Sequence, residues 1–303
     1  MMVLVTGVAG QLGYDVVNEL ARRGIKVTGT DVKEEGAIAR RADWDRYVKL
    51  DVTDGDAVAR ALHELSPDAI IHCAAWTDVD RAEDASNRET VRRINVDGTG
   101  FLVDGAKNLG CKFLYISTDY VFNGEGTEPW KPDDKDFAPQ NYYGETKLAG
   151  ERIVASCLDR YFIVRIAWVF GTNGKNFIRT MLNLAKTHDS LRVVCDQIGT
   201  PTYTFDLARL LVDMIESDRY GVYHATNAGD FISWYDFACE VFRQAGVGIK
   251  VIPVTTAEYG LSVARRPYNS RLDKNKLETA GFTPLPDWKN AVARYLKEIG
   301  EDA

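Results

Sequence analysis

Long apolar runs are missing from this chain: no stretch of about 18 apolar residues occurs, so no membrane-spanning helix is expected. The opening MMVLVTG has no basic segment leading into an apolar one, so export is not expected either. Cysteine is sparse and scattered. Cys73, Cys111, Cys157, Cys195 and Cys239 form no CxxC pair and sit mostly in apolar runs such as IIHCAA and CKFLYI, which reads as reduced core residues in a cytoplasmic protein. Histidine is scarcer still. His63, His72, His188 and His224 lie too far apart for a local metal motif, and no catalytic metal is expected. Positive charge is in deficit, 37 Lys and Arg against 44 Asp and Glu, which excludes the clustered basic surfaces that bind nucleic acid or membranes. An anionic ligand would have to be met by local groups. Repeats and low-complexity segments are absent as well.

What remains is a chain of 303 residues, 45% hydrophobic, long enough for one large α/β domain with a smaller appended one. Short β-branched runs alternate with helical stretches from the start: VLVTG, GQLGYDVVNELARRG, KVTGTDV, YVKLDV, DAVARALHEL, DAIIHCAA. The rhythm continues through a helix near Asn87 to Leu109, the strand KFLYIS, the helix YGETKLAGERIVASC and a single strand YFIVRIAWVF. Such alternation predicts an α/β fold of the Rossmann type, a doubly wound parallel sheet, with a smaller C-terminal α/β substrate lobe. Residues 1–170 and about 204–227 are assigned to the dinucleotide-binding domain; about 171–203 and 228–303 form the lobe. One irregular segment, Asn123 to Asn141, carries three prolines, and loops of that length inside a domain are often functional.

The first strand runs into Gly7-Val-Ala-Gly10-Gln11-Leu12-Gly13 and directly into a helix, the context a pyrophosphate-binding turn requires. Glycine lets the backbone turn and approach phosphates, and free N–H groups at the helix start stabilise their charge. Asp31 ends the second strand, where its carboxylate accepts hydrogen bonds from ribose hydroxyls and repels a 2′-phosphate, favouring NAD(H) over NADP(H). Lys33 nearby keeps NADP(H) open. Asp51-Val52 and Ala74-Ala75 end the third and fourth strands, where the cofactor lies. The sharpest constellation is Tyr143-Gly-Glu-Thr-Lys147, with Thr118 ending the strand YIST. On a helix, i and i+4 share a face, so the Lys147 ammonium is expected to lower the Tyr143 pKa and make the phenol a usable proton donor. Thr118 would hydrogen-bond the same carbonyl oxygen as charge develops there.

The motifs VTGVAGQLG, HCAAWTDVDRAE, ISTDYVFNG, YGETKLAGE, RIAWVFG, DQIGTPTYTFDLA and ARRPYNSRLD resemble, nearly end to end, the extended short-chain dehydrogenase family, in its dTDP-4-dehydrorhamnose reductase branch. By that resemblance Gly7, Gly10 and Gly13 are cofactor glycines, and Thr118, Tyr143 and Lys147 are catalytic, the lysine also holding the nicotinamide ribose. Asp119, Tyr120 and Trp168 would line a sugar pocket, and Arg266 of the RP pair would meet the nucleotide diphosphate; apart from the resemblance, the aromatic ring of Trp76 is read as able to stack on sugar or base. The implied reaction is reduction of the C4 keto group of a nucleotide-linked 6-deoxysugar, dTDP-4-dehydro-L-rhamnose to dTDP-L-rhamnose. An epimerase or dehydratase of the same fold, or a non-catalytic NAD(P)-binding regulatory subunit, are the alternatives. A homodimer is open, although Tyr14-Asp15-Val16 lacks the acidic run that in similar reductases accompanies an interface magnesium.

Overall fold

Strands that read as continuous apolar runs belong in a parallel sheet covered on both faces. The computed structural model describes residues 1–300. Its first elements, in chain order, are β1 (Met2–Thr6), α1 (Gln11–Arg22), β2 (Lys26–Asp31), β3 (Arg46–Lys49), α2 (Gly55–Leu65) and β4 (Ala69–His72). Next come α3 (Val79–Ala82), α4 (Arg88–Arg92), α5 (Gly98–Leu109), β5 (Lys112–Thr118), α6 (Tyr142–Cys157) and β6 (Tyr161–Ile166). The chain continues with β7 (Val169–Phe170), α7 (Phe177–Ala185), β8 (Ser190–Val194), β9 (Ile198–Gly199), β10 (Thr202–Tyr203), α8 (Thr204–Glu216) and β11 (Gly221–His224). It ends with β12 (Ile232–Ser233), α9 (Trp234–Gln244), β13 (Lys250–Val254), α10 (Thr256–Tyr259), β14 (Asn269–Ser270), α11 (Asn275–Thr279) and α12 (Trp288–Ile299).

Seven strands pair in the order β11-β6-β5-β4-β1-β2-β3, all parallel, the doubly wound sheet expected of the sequence. Chain order reverses between β1 and β4, and in such sheets the crevice outside the strands' carboxyl ends at that point binds ligands. Alternation along β1 divides the two faces: Val3 and Val5 join the core under α1 and α8, whereas Leu4 joins the core under α2, α5 and α6. A third core, with Ile178, Leu182, Phe237, Val241, Trp288 and Tyr295, gathers α7, α9 and α12 into the lobe. Leu277, Phe282 and Leu285, late in sequence, pack instead into the first core.

Two expectations are corrected. YFIVRIAWVF is not one strand: Trp168 takes a left-handed backbone, φ +51°, so β6 ends at Ile166 and the chain turns into β7, which pairs with β10. Of the five free cysteines, Cys111 is buried but the other four are partly exposed: Cys73 and Cys195 just follow β4 and β8, Cys157 ends α6, and Cys239 lies on α9.

The irregular segment between β5 and α6 is a strap. Its Trp130 stacks on Phe122 with centroids 4.6 Å apart, and its backbone pairs with the stretch after β14 through Trp130 N–H to Arg271 C=O (2.9 Å) and Asp273 N–H to Trp130 C=O (2.8 Å).

Candidate active site

The glycine turn is dictated by crowding. Gly7 has φ +71°, and a Cβ there would come within 2.7 Å of the Ala74 nitrogen; a Cβ at Gly13 would collide with the Gly7 carbonyl. Larger residues would therefore push β1, β4 and α1 apart at the switch point. Gly10 caps α1 without a side chain, leaving first-turn N–H groups facing the crevice. Asp31 stands beside this turn, one carboxylate oxygen accepting from Ala9 N–H (3.0 Å) and the other from Lys33 N–H (3.3 Å).

At the far end, α6 is placed by its cap. Asn141 Oδ1 accepts from Gly144 N–H at 2.8 Å while Asn141 Nδ2 donates to Arg265 C=O at 2.8 Å, tying the helix start to the lobe. Gly144 lies against the Tyr120 carbonyl with no room for a Cβ, which brings Tyr143 edge-on to Tyr120, centroids 5.7 Å apart. Thr118 lines the same cleft as Tyr143, and its hydroxyl donates to Asp119 Oδ1 at 3.1 Å. Lys147, one turn on and buried, lies 4.0 Å over the Tyr115 ring.

Burial decides the electrostatics. It pushes Lys147 down to about 7, partly opposed by Glu151 one turn further along α6. It also pushes Tyr143 well above its ordinary value, with Asp119 adding to the rise. The expected lowering of Tyr143 by Lys147 is thus corrected: desolvation of the phenol outweighs a lysine that burial has itself weakened as a cation. Asp119 is raised to about 6 by burial, against Ser270 and Thr118, and its Oδ2 has no hydrogen-bond partner.

A second polar cluster supports α6 from behind. Glu151 and Arg165 form a buried two-pronged pair at 2.8 and 2.7 Å, and Arg165 also donates to the Pro132 carbonyl at 3.1 Å. Arg165 faces His224 Nε2 at 3.3 Å, so the imidazole proton sits on Nδ1 and is donated to Trp130 C=O at 3.0 Å. Helix α6, strand β6 and the strap are thereby one rigid unit.

A cleft of about 1000 Å³ runs from the glycine turn to the lobe. It brings together Gly7, Gly10, Gln11, Leu12, Gly13, Asp31, Asp51, Val52, Ala74, Ala75, Thr118, Asp119, Tyr120, Tyr143, Lys147, Trp168 and Arg266. Trp76 does not reach it: its indole N–H is used by the Asp78 carbonyl (2.9 Å) and Arg81 covers its ring, so the expectation that it stacks on a ligand is corrected. Arg266 lines the cleft with its charge already paired to Asp80 at 2.7 and 3.0 Å. Asp15, on α1, is buried and accepts from Thr204 of α8, with Glu298 near enough to add to the rise in its pKa that burial causes. Lys175, Phe177 and Trp234 also line the cleft and were missed, because the lobe has no β-α rhythm to assign them to one site. The Asn173 side chain, donating to the Ala9 and Gly10 carbonyls at 3.2 Å, joins this stretch of the chain to the glycine turn.

A switch-point crevice, a glycine turn on the first strand and a Tyr-x-x-x-Lys helix after the fifth define an extended short-chain dehydrogenase/reductase. More narrowly, the chain belongs to the family of the RmlD substrate binding domain, whose model matches residues 1–301. A dTDP-4-dehydrorhamnose reductase from Streptomyces griseus is 38% identical over 98% of this chain and 93% of its own. Among solved structures, a dTDP-4-dehydrorhamnose reductase from Clostridium acetobutylicum superposes with a TM-score of 0.90 at 40% identity, covering 99% of this chain and all of the other. Another, from Bacillus anthracis in complex with NADP, gives 0.88 at 37% identity, covering 98% and 99% of the two chains.

Proposed function

We propose that this protein reduces the C4 keto group of a nucleotide-linked 6-deoxysugar, dTDP-4-dehydro-L-rhamnose, to the alcohol of dTDP-L-rhamnose, using a nicotinamide cofactor. The observation that carries this reading is the convergence of Thr118, Tyr143 and Lys147 at the carboxyl edge of the sheet, in the cleft that begins at the glycine turn. The residues fit a dinucleotide: a glycine turn that a Cβ would fill, open N–H groups at the start of α1, and Asp31 held by two backbone N–H groups. A nicotinamide cofactor held by these residues would supply the hydride for the carbonyl carbon.

The chain's own residues manage the proton. Tyr143 is held neutral, so it gives its proton to the carbonyl oxygen, and Thr118, rotating its hydroxyl away from Asp119, donates a second hydrogen bond as that oxygen gains charge. Lys147 stabilises the phenolate that Tyr143 leaves behind. Asp119, Tyr120 and Trp168 border the sugar, and Arg266, steadied by Asp80, meets the diphosphate at the rim. Asp31 favours NAD(H), which lacks the 2′-phosphate its carboxylate would repel, while Lys33 leaves NADP(H) usable. Full-length likeness to reductases of this name supports the choice of sugar.

The test is oxidation of NADH and of NADPH, followed at the nicotinamide absorbance, with enzymatically prepared dTDP-4-dehydro-L-rhamnose. One equivalent of dTDP-L-rhamnose per cofactor oxidised, with the higher kcat/KM for NADH, is expected. Folded protein that binds the cofactor yet oxidises neither would contradict the reading.

A further inference from the structure

Trp168 occupies a backbone region, φ +51°, that a bulky side chain adopts only when its surroundings impose it. Three features do so. Its ring lies parallel to Trp234, centroids 3.8 Å apart and planes 17° from coplanar. Trp234 is in turn held by Phe177 at 4.7 Å, and by its place as the first residue of α9, where Ser233 and Asp236 close a capping box. Beneath the pair, Gly199 leaves the space: a Cβ there would sit 3.0 Å from the Trp168 ring. Both indoles line the cleft. Trp168 also packs on the cluster of Val121, Phe122 and Leu148, the residues just beyond Thr118 and Lys147, which fixes this wall at the catalytic end.

We infer that Trp234 is a positioning residue: it holds the strained Trp168 indole against the reaction site, so that the apolar C–H face of the sugar ring packs on a preformed aromatic wall. This rests on the reading under Proposed function. Aromatic stacking gains from apolar contact and ring electrostatics together, and a wall already in place spares the sugar the cost of ordering it. The same geometry gives Gly199 its reason, since any side chain there would displace the ring.

The test compares wild type with Trp234→Ala and Trp234→Phe in four readouts: the exciton couplet of the stacked indoles in circular dichroism, the cofactor Kd, the Kd of dTDP-L-rhamnose, and KM against kcat for the keto sugar. Trp234→Ala should lose the couplet and weaken both sugar constants roughly tenfold, with cofactor Kd within about twofold. Trp234→Phe should restore the sugar constants to within about threefold of wild type. Should Trp234→Ala not fold, Gly199→Ala carries the same expectation. Loss of the couplet with unchanged sugar constants would overturn the inference, as would cofactor and sugar constants falling together in both Trp234 variants. Wild type that binds no sugar nucleotide would instead overturn the functional reading.

Discussion

Tyr143 enters the reaction as a phenol, because burial and the nearby Asp119 carboxyl hold it well above its ordinary value. Tyr143→Phe removes only the proton path, so turnover should fall by about 10²–10⁴-fold while cofactor affinity, measured by titration, stays within about twofold. Retained turnover would remove Tyr143 from the mechanism. Lys147 sets the pH dependence. Its folded pKa is lowered to about 7, and a lysine loses its charge above its pKa, so kcat/KM of the free enzyme should decline as pH rises through that value. A profile still level well above neutrality would show that the Lys147 charge is not used. Residues clustered in short motifs, such as Thr118 and the Tyr143–Lys147 pair, were legible in the sequence as candidates, since spacing on a strand end or one helix face fixes their relation. The balance of burial against charge was not legible, which is why the direction of the Tyr143 shift came out opposite to expectation. Trp76 misled for a similar reason: nothing in HCAAWTD says that the carbonyl of Asp78 takes its N–H.

Among elements, α6 is the one whose placement matters most, and its support is remote in sequence. Glu151 lies on α6, Arg165 on β6, His224 on β11, and Trp130 and Pro132 on the strap. Removing one partner of a buried pair leaves an uncompensated charge, so Glu151→Ala should cost roughly 3–5 kcal/mol of stability, read from the denaturant midpoint at unchanged slope. Glu151→Gln, which keeps a hydrogen-bond acceptor for Arg165, should cost less. A midpoint unmoved in Glu151→Ala would show that the pair does not hold α6 in place. The parallel strands and long helices could be read from periodicity because each buries a continuous face. The break after β6 could not, because apolar residues on both sides of Trp168 mask a left-handed turn, and β9, β12 and β14 are two-residue strands too short to carry a period.

For the whole molecule, the sheet supplies the crevice and the lobe closes one side of it. The glycine turn on the first strand and the alternation that follows made the parallel sheet predictable, though not where β6 ends. The lobe was legible only as a change of rhythm, and its contribution to the cleft, Phe177, Lys175 and Trp234, depends on contacts between segments far apart in the chain. Leu277, Phe282 and Leu285 illustrate the limit: they lie within the stretch assigned to the lobe but pack into the first core, because the edge at β11 leaves apolar surface that α11 covers. The central claim is net hydride transfer to the C4 keto carbon. It is tested most directly with reduced cofactor deuterated at the transferring position and dTDP-4-dehydro-L-rhamnose, with the product read by NMR and mass spectrometry. Deuterium at C4 of the sugar, one per cofactor oxidised, is the predicted result. Unlabelled sugar with the label still on the cofactor, or an epimerised sugar with no net oxidation, would contradict it.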